Sequence, residues 1–550
     1  MYSFIRKVFV LIFICLSFNN YSRAQANYPQ PKLIVTIVID QMRQDYLYRF
    51  WDLYGENGFK KLVNQGYNFA NTHYDYYPTY TAAGHANIGT GALPSVNGIV
   101  ANDWFDNALG RKMYCTEDDS VMGVGTTASA GQMSPKNLKS TTFGDELRLA
   151  NNFRSRVFGI SLKDRGAILP AGHLANGAYW LQKEEGNFIT STYYMADLPA
   201  WVKQFNRSGK VDKYLNQVWK PSLSTRTLEK YTDADNSPYE GIFPTKTQPT
   251  FPYNLREIKQ ELGKQLIFST PFGNTLALDF AEALIKNEKL GKSGSGVPDL
   301  LTLSLSSTDY VGHYFGIRSM EVADTYIRLD KDLAGFITML ENQIGRGNFM
   351  IILTADHGGE DNANYLKTNR YEVGVFNTSM VTKDLKNKLI QKYGKNLIKS
   401  YMNLEIYLDE DSIQSLGISK NQVENEIVDF LKYQPGVKQV LIADQFASNA
   451  GGDVWTKRYL NGYSPERSGN LFIMLQPGWQ NMSWQKTGTT HGSVYTYDTH
   501  VPLIFYGKNV PHGFTYDATT PSQIAATLSA LTGITPPSGC VATPLVHFFK

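Results

Sequence analysis

"FMIILTADHG", from Phe349 to Gly358, is a continuous apolar run that ends in a carboxylate and an imidazole, Asp356 and His357. "KLIVTIVID" ends in the same way at Asp40, and "DLLTLSLSSTD" ends at Asp309. Such runs are typical of strands buried on both faces, as in a parallel sheet. Helical patterns such as "TYIRLDKDLAGFITMLENQI" lie between them. This alternation predicts an α/β fold with a central, mostly parallel sheet flanked by helices.

Two stretches interrupt the alternation, at about 180–275 and at about 385–485. The first is rich in Tyr, Trp, Pro and Thr, which predicts irregular structure that covers the surface. The second contains "NQVENEIVDFLKYQPGVKQVLIAD", a pattern of one helix followed by one strand. We interpret both stretches as cap-like insertions into a single domain that spans 27–550.

The first 26 residues have the pattern of a signal peptide: a basic start in "MYSFIRK", the apolar run "VFVLIFICLSF", and small residues for cleavage near Ala24 or Ala26. The apolar run is shorter than the roughly 20 residues that a membrane-spanning helix needs. We therefore expect an exported protein, periplasmic or secreted, with no membrane anchor.

Charge and cysteine content narrow the class of protein further. The chain has 550 residues, a net charge of +3 and no long basic run, so we expect no nucleic acid partner. After cleavage of the signal peptide two cysteines remain, Cys115 and Cys540. A disulfide and two free thiols fit the sequence equally well.

Residues that follow parallel strands gather at one edge of the sheet, where α/β proteins bind their ligands. A lone Asp after a strand is commonly a helix cap or a turn residue, and a lone His usually serves hydrogen bonding. Three apolar strands that end in Asp, two of them with a His within four residues, indicate a shared site instead. In "TDYVGH", the spacing of Asp309 and His313 puts both on one face of a helical turn.

The candidate metal ligands are therefore Asp40, Asp309, His313, Asp356, His357 and His491. A zinc ion in a protein takes about four ligands, so six groups would serve two ions and leave room for a nucleophile and a substrate. For the remaining histidines we expect hydrogen-bonding roles; they are His73, His85, His173, His500, His512 and His547.

The stretch "YPTYTAAGHANIGTG", from Tyr77 to Gly91, offers a nucleophile for such a site. A hydroxyl is a weak nucleophile unless a base or a metal activates it, and a divalent ion lowers the pKa of a bound hydroxyl. Thr81 precedes small residues at the start of a predicted helix, where backbone N–H groups favour an anion. Thr79 competes with Thr81, and the local pattern leaves both open.

Seven motifs together resemble the alkaline phosphatase superfamily, and within it most of all the PafA-type periplasmic alkaline phosphatases. They are "VIDQMRQDYL", "YPTYTAAGHANIGTG", "NGIVANDWFD", "GISLKDR", "STDYVGH", "TADHG" and "TTHGS". The resemblance implies one α/β domain with cap-like insertions, two zinc ions and a covalent phosphothreonine. It also implies that Thr81, twenty-one residues before Asn102, is the nucleophile rather than Thr79.

The resemblance also assigns the other residues of the site. It implies that Asp40, Asp356 and His357 hold one zinc ion with Thr81 as the fourth ligand, and that Asp309, His313 and His491 hold the other. Asn102, Lys163 and Arg165 match the groups that contact phosphate. Because Lys163 and Arg165 follow the strand pattern "RVFGIS" two residues apart, alternation predicts that both lie on the same face.

These features predict a phosphomonoesterase, an alkaline phosphatase that acts as a monomer on small phosphate monoesters. The pairing of Thr with Asn is shared with nucleotide pyrophosphatases/phosphodiesterases, so a phosphodiesterase of that type is the alternative enzyme. The sulfatase pattern C/S-x-P-x-R is absent around the nucleophile. A non-catalytic surface protein on the same fold would lack a ligand or the nucleophile, and none is missing.

Overall fold

The computed structural model describes residues 29–292, 294, 296–446, 452–481 and 486–549. The predicted signal peptide, 1–26, lies outside these described residues. A ten-stranded sheet organises the chain. Its strands, numbered in chain order, are β1 (Leu33–Ile39), β2 (Tyr67–Phe69), β3 (Gly123–Val124), β4 (Val157–Ile160), β5 (Gly177–Gln182), β6 (Asn187–Ser191), β7 (Asp299–Leu305), β8 (Phe349–Thr354), β9 (Leu503–Gly507) and β10 (Gly513–Thr515).

The middle of this sheet is parallel, and its flanks are mixed. The spatial order of the strands is β10-β2-β9-β8-β1-β7-β4-β5-β6-β3. The five strands from β8 to β5 pair in parallel, whereas β9 pairs with β8 and β6 pairs with β5 in antiparallel fashion. The predicted α/β fold with a mostly parallel central sheet is confirmed.

Both faces of the sheet are covered, which explains the continuous apolar runs. Along β1, Leu33, Val35 and Ile37 pack into the larger core on one face. Ile34 and Val38 pack into a second core on the other face. Successive side chains of a strand point to opposite faces, so most positions of a doubly covered strand are apolar.

Helices lie between the strands, as the alternation predicts. The pattern that begins at Thr325 is part of a longer helix, Met320–Gln343, which Ser319 caps by accepting a hydrogen bond from the N–H of Val322. The helices of eight residues or more are Thr81–Thr90, Phe143–Ala150, Asp164–Ala171, Ala200–Arg207, Leu255–Leu262, Phe272–Asn287, Ser307–Phe315, Met320–Gln343, Thr378–Tyr393, Lys420–Leu431, Val454–Gly462 and Gln523–Thr532.

The carboxyl ends of β1, β7 and β8 meet at one edge of the sheet, because these three strands are parallel neighbours. Asp40 follows β1 directly, and Asp356 and His357 follow β8. Strand β9 runs in the opposite direction, with Leu503 paired to Thr354, so its amino end lies at the same edge. The segment before β9, which carries His491, is thereby brought to the edge where the other candidate ligands lie.

The two interrupting stretches have different structures. The first, from about 180 to 275, begins inside the central sheet, since β5 and β6 extend to Ser191, and continues as short helices. The second contains a four-stranded sheet in the order Ile398–Met402, Glu405–Leu408, Leu471–Leu475, Val437–Ile442, with a hydrophobic core of its own. Its predicted helix and strand are Lys420–Leu431 and Val437–Ile442. That both stretches are cap-like insertions into one domain stays a prediction.

The structure also bears on the state of the two cysteines and on whether a helix could cross a membrane. Cys115 is buried and Cys540 is partly buried, and both are free thiols, so the structure selects two thiols over the disulfide. Among the described residues, no helix combines the length and the apolar character that crossing a membrane requires.

Candidate active site and metal centre

Four side chains converge at the carboxyl ends of β1 and β8. Nε2 of His357 lies 3.4 Å from Oδ1 of Asp40, 3.4 Å from Oδ2 of Asp356 and 3.4 Å from Oγ1 of Thr81. Two ligand atoms that each lie about 2.1 Å from one tetrahedral zinc ion are about 3.4 Å apart, so each of these three contacts has the separation of two ligands of one ion. We call these four residues the first metal group.

The first metal group is fully buried, and two of its oxygens lack a partner. Asp40, Asp356 and His357 are 0% exposed, and Thr81 is 1% exposed. Oδ1 of Asp40 and Oδ2 of Asp356 accept no hydrogen bond. Buried carboxylate oxygens are normally paired, so two unpaired ones that face the same imidazole nitrogen fit a cation between them.

A second cluster lies beside the first. Oδ1 of Asp309 is 3.1 Å from Nε2 of His313 and 3.7 Å from Nε2 of His491. These three residues form a possible metal site, which we call the second metal group; Asp309 is also close enough to Asp40 and His357 to lie between the two groups. Asp309 and His313 are on the helix Ser307–Phe315, four residues apart, as the spacing predicts.

Backbone carbonyls orient all three candidate histidine ligands. Nδ1 of His357 contacts the carbonyl oxygen of Gly358 at 2.9 Å, Nδ1 of His313 contacts that of Thr489 at 2.8 Å, and Nδ1 of His491 contacts that of Thr79 at 2.9 Å. A carbonyl oxygen only accepts, so Nδ1 carries the proton and donates it in each pair. The Nε2 lone pair then faces the cluster, as metal-binding histidines require.

Burial and charge set the protonation of these histidines. Burial is the largest influence on His357 and lowers its pKa to about 3. Burial also lowers the pKa of His491 well below its ordinary value. At His313 burial acts in the same direction, but the Asp309 carboxylate outweighs it and raises the pKa. Metals bind neutral imidazole, so His357 and His491 are ready as ligands, whereas a bound ion would displace a proton from His313.

Negative charge is in excess at this edge of the sheet. Burial raises the pKa of Asp40 and of Asp356, whereas at Asp309 His313 and Lys163 outweigh burial and lower the pKa. The Lys163 ammonium donates to Oδ2 of Asp40 at 2.7 Å and to Oδ2 of Asp309 at 2.6 Å. Three buried carboxylates thus face one buried lysine, and further cations would compensate the remaining charge.

Thr81 is the first residue of the helix Thr81–Thr90, as predicted. Tyr80 before it is extended, and small residues follow it. Gly84, one turn later, touches the backbone of Asp356 so closely that a Cβ there would overlap the Asp356 carbonyl oxygen. The helix therefore approaches the end of β8 closely enough to bring the Thr81 hydroxyl to His357.

Thr79 has a different environment. Its hydroxyl donates to the carbonyl oxygen of Ser493 at 2.9 Å, and its own carbonyl oxygen accepts from His491. It thus orients a ligand of the second metal group, while the Thr81 hydroxyl faces the first. The two threonines that the local pattern leaves open are separated by these contacts.

The three predicted phosphate contacts lie around the helix Thr81–Thr90. Oδ1 of Asn102 accepts from the N–H of Ala82 at 2.9 Å, which ties Asn102 to the first turn after Thr81. Nη1 of Arg165 donates to the Tyr114 hydroxyl at 3.1 Å, and that hydroxyl donates to Asp164 at 2.6 Å. Lys163 bridges the two metal groups.

The prediction that Lys163 and Arg165 lie on one face of a strand is wrong. Strand β4 ends at Ile160, and a helix begins at Asp164. Lys163 precedes that helix and points at Asp40 and Asp309, whereas Arg165 is in its first turn and points at Tyr114. A strand periodicity therefore cannot be extended beyond the strand end.

Two residues that surround the ligands were not predicted as part of the site. His85 contacts the Thr81 carbonyl oxygen at 2.8 Å through Nδ1 and the Ser304 hydroxyl at 2.8 Å through Nε2. Burial lowers its pKa to about 4, so it is neutral, and its hydrogen-bonding role agrees with the expectation for the other histidines. Gln41 contacts Asp309 and Asp356. In sequence it is marked only by its place directly after Asp40.

A family model described as type I phosphodiesterase/nucleotide pyrophosphatase matches residues 34–500. This span contains all of the candidate site residues. The chain belongs to this family.

Curated relatives of the chain are similar over almost its full length. It is 45% identical to a protein of Myroides odoratus named calcium-transporting ATPase, over 98% of each chain. It is 43% identical to the alkaline phosphatase PafA of Elizabethkingia meningoseptica, over 94% of each. The crystal structure of wild-type alkaline phosphatase PafA matches with a TM-score of 0.91 at 42% identity, covering 94% of this chain and 99% of that one.

These similarities confirm the predicted membership of the alkaline phosphatase superfamily and the fold that goes with it. They also confirm the prediction of an enzyme, a phosphomonoesterase of the alkaline phosphatase type. Relatives of this type indicate the use of divalent metal ions. Two sets of described residues could each hold one: Asp309 with His313 and His491, and Asp40 with Asp309 and His357.

Proposed function

We propose that the protein hydrolyses phosphate monoesters through a covalent phosphothreonine on Thr81, with two zinc ions. The observation that carries the proposal is the arrangement of Asp40, Asp356 and Thr81, each with an oxygen 3.4 Å from Nε2 of His357. A hydroxyl this close to a set of imidazole and carboxylate donors is a nucleophile placed where an ion can activate it.

The residues would hold the ions as two sets. Asp40, Asp356, His357 and Thr81 would hold the first, and Asp309, His313 and His491 would hold the second. When bound, the pair of ions supplies Lewis-acid stabilisation of negative charge on the attacking and leaving oxygens. Zinc fits the mixture of nitrogen and carboxylate ligands, and other divalent ions compete for it.

The protein's own residues carry the rest of the reaction. Oγ1 of Thr81 loses its proton and forms a bond to phosphorus as the ester P–O bond breaks, and the alcohol leaves with a proton. Water then attacks phosphorus and breaks the Oγ1–P bond, which releases inorganic phosphate and restores the Thr81 hydroxyl. Asn102, tied to Ala82, would direct its amide N–H groups at the phosphoryl oxygens beside Thr81. Arg165 would bind phosphoryl oxygens with its planar fork, and Lys163 would add a fixed positive charge between the carboxylates.

The alternative activity is hydrolysis of phosphodiesters, which the description of the matching family names. A phosphomonoester carries two negative charges and three free oxygens, whereas a diester carries one charge and two free oxygens. Two cations near the nucleophile, Lys163 and Arg165, favour the monoester on this ground. A non-catalytic binding protein is disfavoured, since each predicted ligand and the nucleophile are present.

Location and assembly belong to the same proposal. We propose that the protein is exported through its signal peptide, acts as a monomer in the periplasm or outside the cell, and binds neither nucleic acid nor a membrane. Because the Myroides odoratus relative is named an ATPase, nucleoside triphosphates are also substrates worth testing. Their terminal phosphoryl group resembles that of a monoester in charge and in free oxygens.

Rates on matched substrates test the proposed function. The zinc-loaded protein should hydrolyse an aryl phosphate much faster than the corresponding aryl phosphodiester or aryl sulfate. The three substrates share one leaving group, so differences in kcat/KM report on the transferred group alone. A diester rate above the monoester rate would replace the proposal with the phosphodiesterase, and no turnover of any substrate would favour the binding protein.

A further inference from the structure

Gln41 donates a hydrogen bond to a carboxylate of each metal group, one from its backbone and one from its side chain. Its backbone N–H donates to Oδ1 of Asp356 at 3.2 Å. Its side-chain Nε2 donates to Oδ1 of Asp309 at 2.8 Å. Gln41 directly follows Asp40, so the chain that carries a ligand of the first group also holds a ligand of the second.

The surroundings of Gln41 fix both donors. Its backbone has φ of 63°, in the left-handed region that residues other than Gly seldom adopt. Its side chain is buried, and a Cβ built on Gly312 would overlap Gln41 Oε1. A Cβ on Gly359 would lie 3.2 Å from Gln41 Cγ. Two glycines therefore make room for this side chain, and the strained backbone turns its N–H toward Asp356.

We propose that Gln41 is a positioning residue that sets the metal affinity of the second group through its side chain and orients Asp356 of the first group through its backbone. The inference rests on the proposed function, because it assumes that the two groups hold ions. It adds a residue that touches neither ion nor substrate and yet determines how tightly one ion is held.

The two donors have separable consequences. Asp309 is held by Gln41 at Oδ1 and by Lys163 at Oδ2, so both of its oxygens are oriented by a donor. Loss of the Gln41 amide frees Oδ1 to rotate away from His313 and His491. Loss of such a supporting hydrogen bond typically weakens metal binding by about 10–100-fold. The backbone N–H persists in any variant except proline, so the first group should be unaffected.

The test compares Gln41→Met with wild type by titrating the metal-free protein with zinc against a chromophoric chelator. Met matches Gln in length and is unbranched at Cβ, so the left-handed backbone is strained to the same extent, but Met donates no hydrogen bond. We expect the dissociation constant of the second group to rise about 10–100-fold. His491→Ala, which keeps only the first group, identifies the constant that belongs to each site.

A matched control comes from the same segment. Gln44 is also buried, but both polar atoms of its side-chain amide lack a hydrogen-bond partner. Gln44→Met should leave both zinc constants unchanged. Addition of Gln41→Met to His491→Ala should leave the first-group constant within about twofold of its value, since the backbone donor remains.

The outcomes separate the inference from the function on which it rests. If wild type binds fewer than two zinc ions, the two-metal function fails. If wild type binds two ions and Gln41→Met binds both with unchanged constants, the function stands and the inference is overturned. If Gln41→Met does not fold, as judged by the melting temperature of the metal-free protein, Gln41→Asn decides. Its shorter amide tolerates the left-handed backbone but cannot span the distance to Asp309, so it should show the same loss, and unchanged constants would overturn the inference.

Discussion

The two metal groups lie side by side, yet they differ in exposure. The ligands of the first group are at most 1% exposed. In the second group the His313 side chain is 34% exposed, whereas those of Asp309 and His491 are 5% and 6% exposed. Catalytic metal sites keep a position for water or substrate. On the proposed function, the first group would fix the nucleophile, and the more exposed second group would be where the leaving alcohol and water exchange.

The largest expected effect is the loss of activity on removal of a histidine ligand, compared between one histidine of each group. His357→Ala removes the nitrogen around which Asp40, Asp356 and Thr81 are arranged, so kcat/KM for an aryl phosphate should fall by about 10⁴-fold or more. His491→Ala should reduce the bound zinc from two ions to one and leave the first group loaded. Metal analysis together with rates checks both results. Equal metal loss and equal rate loss in the two variants would remove the distinction between the groups.

The two metal groups should lose zinc to a chelator at different rates. A strong chelator should remove zinc in two phases, fast from the more exposed second group and slow from the buried first group. Activity should fall with the first phase, and the melting temperature should fall most with the second, because Asp40 and Asp356 then lose their counter-charge. An ion present at about 1,000 times its dissociation constant stabilises the fold by about 4 kcal/mol. Full activity and an unchanged melting temperature in chelator would refute the metal sites.

Substitution of Arg165 tests the preference for phosphate monoesters over diesters. Arg165→Ala should lower the monoesterase rate by roughly 10²–10³, equivalent to about 2.7–4 kcal/mol, because on the proposed function it removes a preorganised contact to the transferred phosphoryl group. The diesterase rate should fall far less, and Lys163→Ala added to it should widen the gap. Arg346, whose side chain is 83% exposed, offers a control at which Ala should change neither rate. Equal losses for both substrates would assign Arg165 to general stability.

Some of this site follows from sequence alone, and the reasons are physical. Asp40, Asp356 and His357 are predictable because strands with two covered faces are mostly apolar, so a charged residue at the end of such a strand stands out in the sequence. The pairing of Asp309 with His313 is predictable because four residues make one helical turn. His491 is harder, since its position depends on β9 running antiparallel to β8.

The remaining features depend on tertiary structure. Strand alternation predicted the wrong positions for Lys163 and Arg165, because the strand ends at Ile160 and a helix begins at Asp164. The left-handed backbone of Gln41 and the contacts of His85 with Thr81 and Ser304 leave no periodic mark in the sequence. They arise only where separate elements meet.

The smallest expected effect concerns buried carboxylates away from the metal groups. Burial is the main cause that raises the pKa of Glu321 to about 8, from 4.5. The folded protein then keeps a proton that the unfolded chain releases, so this group's contribution to stability falls as pH rises from 4.5 to about 8 and is constant above. Glu321→Gln should flatten this fall, by at most about 1.4 kcal/mol per pH unit.

Urea unfolding of metal-free protein at several pH values checks this expectation. The same variant should leave zinc content and the response to chelator unchanged, since Glu321 lies outside both metal groups. An identical pH dependence in Glu321→Gln and wild type would contradict the assignment of the proton to this residue.

The central claim, that the first group activates Thr81, is tested most directly by locating the covalent phosphoryl group. The zinc-loaded protein is mixed with an aryl phosphate at acidic pH, quenched, and digested for peptide mass spectrometry. The account predicts one phosphorylated residue, Thr81, which is lost in Thr81→Ala along with most of the activity and kept in Thr79→Ala. A phosphoryl group on Thr79 or elsewhere, or normal turnover by Thr81→Ala, would contradict it.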